Sequence, residues 1–349
     1  MLINAASERR MCAHPNWLRC KYEPYSCILV LRSMEHVCWT TPSELEAERR
    51  MGMRHRRRRL LLAALLIAVM VMCGPTVHGN VTGSETEPAN PDEIGVDENQ
   101  MVEEKRPLVV AHRGASGAAP ENTMAAFERA VEMGADMIEL DVHATEDGHI
   151  VVIHDAVLNR TTRGDVRGSV VWFTLEEIKT LDAGSWKGTE FAGEEIPTLH
   201  EVLSAFKGRT RVLIEIKGKN IEDKVVDVIR ETGTEEDVVI QSFDVEAVRR
   251  CRELLPEVPA GVLFSAPLLF GRSSFNDKVI ATALDVKADF VAVGHKAATP
   301  ELVALARENG LDVFVWTVNS KKDMVNMIDV GVDGIITNHP DVLMELLGE

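Results

Sequence analysis

The chain has 349 residues, 38 basic against 55 acidic side chains, a net charge of −17, and 45% hydrophobic but only 5% aromatic residues. That leaves ample apolar material for a core and excludes nucleic acid as a partner, since so acidic a chain repels polyanions; an anionic substrate must be met by a local Arg, Lys or metal. The cysteines at 12, 20, 27, 38, 73 and 251 show no C-x-x-C spacing, so neither a zinc site nor a redox motif is predicted.

Met1–Arg50 shows no sustained apolar period. Arg54–Arg59, basic at all but one position, then precedes the apolar run Leu60–Met72 and Cys73-Gly74-Pro75. This is the pattern of an export signal over 54–79, with cleavage after Gly79. Two alternatives stand beside it: a short membrane anchor over 60–79, interrupted by Pro75 and His78 and below the ~20 apolar residues of a full span, and lipidation of Cys73, for which Met70-Val71-Met72 lacks the usual small residue. All three place the rest of the chain outside the cytoplasm, secreted or on the outer face of the membrane, because the arginines stay inside. Met51 and Met53 stand directly before the arginines, so residues 1–53 are expected to be an over-extended start, with a cytoplasmic tail as the alternative. Asn80–Arg106, rich in Glu, Asp, Pro and Asn, reads as an acidic disordered tether.

From Pro107 onward, apolar strand-like runs alternate with amphipathic stretches. Eight strands are predicted: Leu108–His112, Ala135–Thr145, Arg211–Lys217, Val238–Ser242, Ala260–Phe264, Phe290–Val293, Val313–Thr317 and Gly334–Thr337. Helices are predicted at Met124–Glu132, Ile221–Arg230, Val245–Leu255, Pro300–Asn309 and Lys321–Val330. Eight strand–helix units over 107–349 predict a TIM (β/α)8 barrel. A doubly wound sheet is the alternative, but Gly114-Ala115-Ser116-Gly117 has neither phosphate-loop spacing.

A barrel carries its site at the carboxyl ends of its strands. The first strand ends His112-Arg113-Gly114, the second carries Glu139, Asp141 and His143 on one face, and the third ends Glu215-Ile216-Lys217. Asp147-Gly148 predicts a two-residue hairpin turn, in which Glu146 faces His149, Asp141 faces His154, and His154 returns to the site. Glu139, Asp141 and Glu215 then converge, which demands protonation or a cation, and an all-oxygen set favours Ca²⁺ or Mg²⁺. His112 and His154 can serve as acid and base near neutrality. Arg113 and Lys217 can meet a phosphate. Metal, two histidines and two cations fit phosphodiester cleavage.

At these positions the chain resembles the glycerophosphodiester phosphodiesterases, phospholipase-C-like TIM-barrel enzymes. The likeness runs through His112-Arg113-Gly114, Pro120-Glu121-Asn122-Thr123, Glu139-Leu140-Asp141-Val142, His154-Asp155, Arg160-Thr161-Thr162, Ile196-Pro197-Thr198-Leu199, Glu215-Ile216-Lys217, Gln241-Ser242-Phe243, Trp316-Thr317-Val318-Asn319 and Gly331–Pro340. The resemblance implies hydrolysis of a small-molecule glycerophosphodiester to sn-glycerol 3-phosphate and an alcohol. It implies one divalent cation on Glu139, Asp141 and Glu215, His112 and His154 as general acid and base, Arg113 and Lys217 on phosphate, and Trp316 beside the glycerol. A glycerol hydroxyl would attack phosphorus and water would then open the cyclic phosphate. Residues 155–196 resemble a short cap, expected to pack around Trp172, Phe173, Trp186 and Phe191. Asn122 is expected to cap the following helix, with Glu121 in a supporting role near the metal. His143 stands where the family often has an amide, which leaves open an extra ligand or an altered pH profile. Two other functions remain open: a lipid-acting phospholipase-like enzyme with an apolar rim, hinted at by Leu268-Leu269-Phe270, and a non-catalytic protein that captures phosphorylated ligands.

Overall fold

Among the described residues, nine strands follow in chain order: β1 Leu108–Ala111, β2 Met137–Ala144, β3 Ile150–Val152, β4 Arg211–Ile216, β5 Val238–Ser242, β6 Ala260–Phe264, β7 Phe290–Gly294, β8 Asp312–Trp316 and β9 Gly334–Thr337. They belong to a computed structural model that describes residues 106–265 and 272–349. The export-signal, anchor and start-site readings, the tether as far as Lys105, and Leu268-Leu269-Phe270 all lie outside the described residues.

Eight of the strands are parallel. β1 hydrogen-bonds to both β2 and β9, so the sheet closes into the predicted TIM barrel. Strands buried on both faces read as continuous apolar runs rather than alternating ones, and β5 is buried at every position. The outward residues, such as Ile138, Leu140, Ile214 and Val313, pack under the helices. The inward ones, among them Val110, Met137, Leu213, Val239, Phe290 and Phe314, fill the barrel itself. Each such buried side chain contributes roughly 1.5–3 kcal/mol. Phe290 and Phe314 stack at 4.9 Å, and the space for them is made by Gly261, where a Cβ would meet the Phe290 ring at 2.3 Å.

Local sequence sets the helix ends. Thr198 and Glu201 form a capping box at the start of Leu199–Phe206. Thr299 caps Pro300–Glu308, with the proline in the first turn, where its missing N–H costs nothing. The five predicted helices end within two residues of the observed ones. Asn122 is not the cap of Met124–Glu132: Thr123 is, its side chain accepting from the Ala126 N–H.

β3 pairs antiparallel with β2 and stands outside the ring. The predicted hairpin is present with its register one residue off: His143 faces Val151, and the Thr145 N–H bonds to the His149 carbonyl. The loop is therefore the three residues Glu146-Asp147-Gly148, with Gly148 left-handed at φ 89°. Such a turn adds one residue to the loop relative to a two-residue one. Asp141 consequently bonds to the Ile153 N–H, not opposite His154. The cap also differs from expectation. Its core is aliphatic, built from Val151, Ile153, Leu158, Val170, Ile178 and Leu181 with Phe173 against it, while Trp172 is 68% exposed. Cys251 is free and buried, its thiol pushed up to about 12 chiefly by desolvation. No helix among the described residues is long and apolar enough to cross a membrane.

Candidate active site

Up the barrel, the inward positions change from apolar to polar. On β2, Met137 gives way to Glu139 and Asp141; on β4, Leu213 to Glu215; on β5, Val239 to Gln241; after β1, Val110 to His112. Period-two alternation aims all of these at one space. A cavity of about 90 Å³ opens there, lined by His112, Arg113, Glu139, His154, Glu215 and Lys217 on one side and by Gln241, Phe243, Leu263 and Trp316 on the other.

Glu139, Asp141 and Glu215 are all buried and each places a carboxylate oxygen within 4.8 Å of the others. Burial and the two neighbouring carboxylates raise the Glu139 pKa well above the usual carboxylate range, and burial followed by Asp141 raises Glu215. Glu139 Oε1 and Asp141 Oδ1 are buried and accept no hydrogen bond. Orphaned buried oxygens are rare and costly, and an oxygen-only set of this kind suits a hard divalent cation. The donor set present therefore fits a metal.

The surrounding groups hold the trio in place. Arg113 is left-handed at φ 56°, which turns its N–H onto Glu139 Oε2 at 2.8 Å. Gly114 follows at φ 76°, where a Cβ would strike the Ala126 backbone at 2.6 Å. The Arg113 guanidinium bonds to Glu121 at 2.8 Å and lies 3.2 Å from Asp141 Oδ2. Asn122, also left-handed, donates from its amide to Asp141 Oδ2 at 2.9 Å. Lys217 Nζ donates to Glu215 at 2.9 Å and lies 3.6 Å from Asp141. Burial opposes its charge, but Asp141 and Glu215 outweigh that and raise its pKa. Both cations thus line the cavity while paired to its carboxylates.

The two histidines approach from different elements. His112 Nδ1 is 2.6 Å from Asn338 Oδ1; with the proton on Nδ1, Nε2 is the free base. Desolvation and then Arg113 lower its pKa to about 4, so the ring is neutral at pH 7. His154 Nδ1 is 2.7 Å from Asp155, whose other oxygen accepts from Arg160 Nε at 2.8 Å. Arg160 also clamps Glu121 with two bonds of 2.8 Å, and with Arg113 it offsets Glu121's burial and holds its pKa down at about 2. His154 reaches the cavity although its register differs from the prediction, because the chain leaves the ladder after Ile153, whose N–H makes the last bond across it to the Asp141 carbonyl. His143 is not one of the acidic cluster: its Nε2 donates to the His154 carbonyl at 3.2 Å, and burial lowers its pKa. Trp316 stands on the cavity wall, its indole N–H on the Ala292 carbonyl and its ring edge-on to Phe243 at 5.4 Å.

All eight predicted site residues come together at this mouth except for one carboxylate: Asp141 lies beneath the lining, held between Asn122, Arg113 and its two acidic neighbours. Three positioning groups, Asp155, Arg160 and Asn338, were assigned no role from sequence, and Asn122 was expected to cap a helix rather than to hold Asp141. Asp155 carried a signal, being adjacent to His154, whereas Asn338 lies 226 residues from the ring it orients.

Fold and site define a (β/α)8-barrel enzyme with an acidic, metal-type centre at the carboxyl ends of its strands. Residues 112–342 match the glycerophosphoryl diester phosphodiesterase family, and the chain belongs to it. It is 45% identical over 246 residues to a glycerophosphodiester phosphodiesterase of Caldanaerobacter subterraneus subsp. tengcongensis, covering 69% of this chain and 97% of that one. A glycerophosphodiester phosphodiesterase of Bacillus subtilis is 37% identical over 257 residues, covering 68% and 85%. Among solved structures, an Oleispira antarctica phosphodiesterase in complex with the product sn-glycerol-3-phosphate superposes with a TM-score of 0.62 at 28% identity, over 70% of this chain and 98% of that one.

Proposed function

We propose that this enzyme hydrolyses glycerophosphodiesters to sn-glycerol 3-phosphate and an alcohol, with Ca²⁺ or Mg²⁺ on Glu139, Asp141 and Glu215 and with His112 and His154 as acid and base. The observation that carries the reading is the meeting of two independently oriented imidazoles over a carboxylate trio that has two orphaned oxygens. A cation held there supplies Lewis acidity and charge neutralisation to the reacting diester.

The protein's own groups do the rest. His112 Nε2, neutral at working pH, takes the proton of the glycerol hydroxyl that attacks phosphorus. His154, held through Nδ1 by Asp155, delivers a proton from Nε2 to the departing alcohol oxygen. Water then opens the cyclic phosphate with the two roles exchanged. Arg113 and Lys217 hold positive charge against the phosphate, and Trp316 walls the glycerol side. The cavity, small beside the ~300–1,000 Å³ of pockets for drug-sized ligands, suits a glycerol unit better than a diacylglycerol. A silent binding protein would have lost a histidine or a carboxylate of the set, and none is missing.

The test is release of glycerol 3-phosphate by the full chain from several glycerophosphodiesters, with EDTA and with Ca²⁺ or Mg²⁺ restored. Chelator-sensitive release is expected, with choline freed from glycerophosphocholine and not from phosphatidylcholine. No release from a folded, metal-supplied protein overturns the reading. The basic and apolar run of 54–79 supports action outside the cytoplasm, by secretion or attachment to the outer membrane face; activity confined to the cytosolic fraction of the native cell would overturn that part.

A further inference from the structure

Gln241 lies on β5 directly in register with Glu215 and is 1% exposed. Its Oε1 is buried and has no hydrogen-bond donor, although the side chain lines the catalytic cavity. The other orphaned atoms at the site, Glu139 Oε1, Asp141 Oδ1 and Arg113 Nε, belong to the carboxylate trio and the arginine beside it, and Glu139 and Glu215 each have a second oxygen bonded, to the Arg113 N–H and to Lys217. A buried amide oxygen without a donor is a standing cost to the fold. Below it Val239, and on the β6 side Leu263, are apolar, while Glu215, its neighbour on β4, is bonded to Lys217, so no hydrogen bond within the fold uses the amide oxygen.

The reacting groups stand on β1, β2, β4 and the hairpin. Gln241 is one strand further round, toward the half of the cavity walled by Phe243, Leu263 and Trp316. A glycerol unit whose phosphate and attacking hydroxyl face the histidines must send its remaining carbon and terminal hydroxyl into that other half. We propose that Gln241 is the specificity-determining residue that reads this terminal hydroxyl, its Oε1 accepting the hydroxyl proton. The inference rests on the glycerophosphodiester reading and names the group that selects glycerol within it. A site built to pair with a substrate hydroxyl rejects the analogue that lacks it, because the buried partner is left without a bond. The preference for glycerol thereby lies in one amide, away from the groups that make and break bonds.

The test compares two substrates on the full chain: glycerophosphocholine, and its analogue with propane-1,2-diol in place of glycerol. The analogue keeps the attacking hydroxyl and lacks only the terminal one. Wild type is expected to favour the glycerol substrate in kcat/KM by on the order of 100-fold or more. Gln241→Leu, close in volume, should lose most of its activity on the glycerol substrate and far less on the analogue, so that the ratio collapses toward one. Its metal-induced rise in melting temperature should match wild type. A wild-type ratio near one overturns the proposal without any variant. So does an unchanged ratio in a folded variant, or loss of the metal-induced rise, which would make the amide a metal ligand instead. If Gln241→Leu does not fold, Gln241→Met carries the same comparison. Wild type that hydrolyses neither substrate with metal supplied removes the glycerophosphodiester reading itself, an outcome distinct from equal hydrolysis of both.

Discussion

Replacing Glu139 by Gln removes one of three buried carboxylates and keeps the shape that receives the Arg113 N–H. The trio's ligating oxygens lie within 4.8 Å of one another. At an effective dielectric near 20, two unit charges at that separation repel by about 3.5 kcal/mol, so an ionised Glu139 meets about 7 kcal/mol from its two neighbours. Burial opposes the charge most, this repulsion adds to it, and Arg113 offsets only part, which is why the Glu139 pKa is raised. With its folded pKa above the unfolded one, Glu139 favours the metal-free fold at low pH, and that contribution is lost as pH rises through the raised value. Glu139→Gln imitates the protonated acid. Its metal-free melting temperature is therefore expected to equal or exceed that of wild type at neutral pH, without that loss as pH rises. Wild type should gain about 2.7 kcal/mol at a cation concentration of 100 Kd. At about 2–4 °C per kcal/mol for a domain of this size, the melting temperature should rise by about 5–11 °C, and Glu139→Gln should lose most of that rise. Thermal melts in EDTA and in Ca²⁺ or Mg²⁺ measure both. A variant that keeps the full rise, or that melts several degrees lower without metal, refutes the reasoning.

Other outcomes follow from the same geometry. His112→Ala and His154→Ala should each lower kcat by about 10²–10⁴-fold with circular dichroism unchanged; substantial activity in both would remove the acid/base assignment. The His112 pKa, lowered to about 4, sets two signs. The base stays neutral down to about pH 4, so the acid limb of kcat/KM that it governs falls only as pH approaches that value. Its contribution to stability is present above the ordinary histidine pKa of ~6.5 and is lost as pH falls from there to about 4, because only the unfolded chain takes up the proton in that window. A His112→Ala variant whose stability keeps the same slope over that window would contradict the assignment. Asn122→Gly keeps the left-handed backbone but removes the amide on Asp141; it should cost about 1–3 kcal/mol in urea unfolding and diminish the metal-induced rise, and an unchanged rise would show that Asn122 does not orient Asp141.

The barrel was legible because its signal is local and repeated. Parallel strands buried on both faces are unbroken apolar runs, and each predicted strand lies within about two residues of an observed one. The carboxylates were legible for the same reason: Glu139 and Asp141, two apart on one strand, must share a face. The hairpin was one residue off because Asp147-Gly148 serves equally well in a two-residue turn and at the end of a three-residue one, and pairing with β2 decides between them. The cap's core was misplaced on its aromatics, since composition does not say which large side chains find cover. Trp172 finds little, while Leu158 and Ile178 are fully buried.

The parallel α/β barrel, the strand ends that carry its polar residues, and the residue types suited to metal-assisted phosphodiester chemistry can all be read from neighbouring residues, because period-two alternation and strand–helix repetition are local properties. What holds those residues ready emerges only when the chain is folded: Asn338 on His112, Asp155 and Arg160 behind His154, and Asn122 on Asp141, as does the Gln241 oxygen left without a donor. Barrel closure brings together groups that lie up to 226 residues apart in the chain, and no local pattern records which of them will meet.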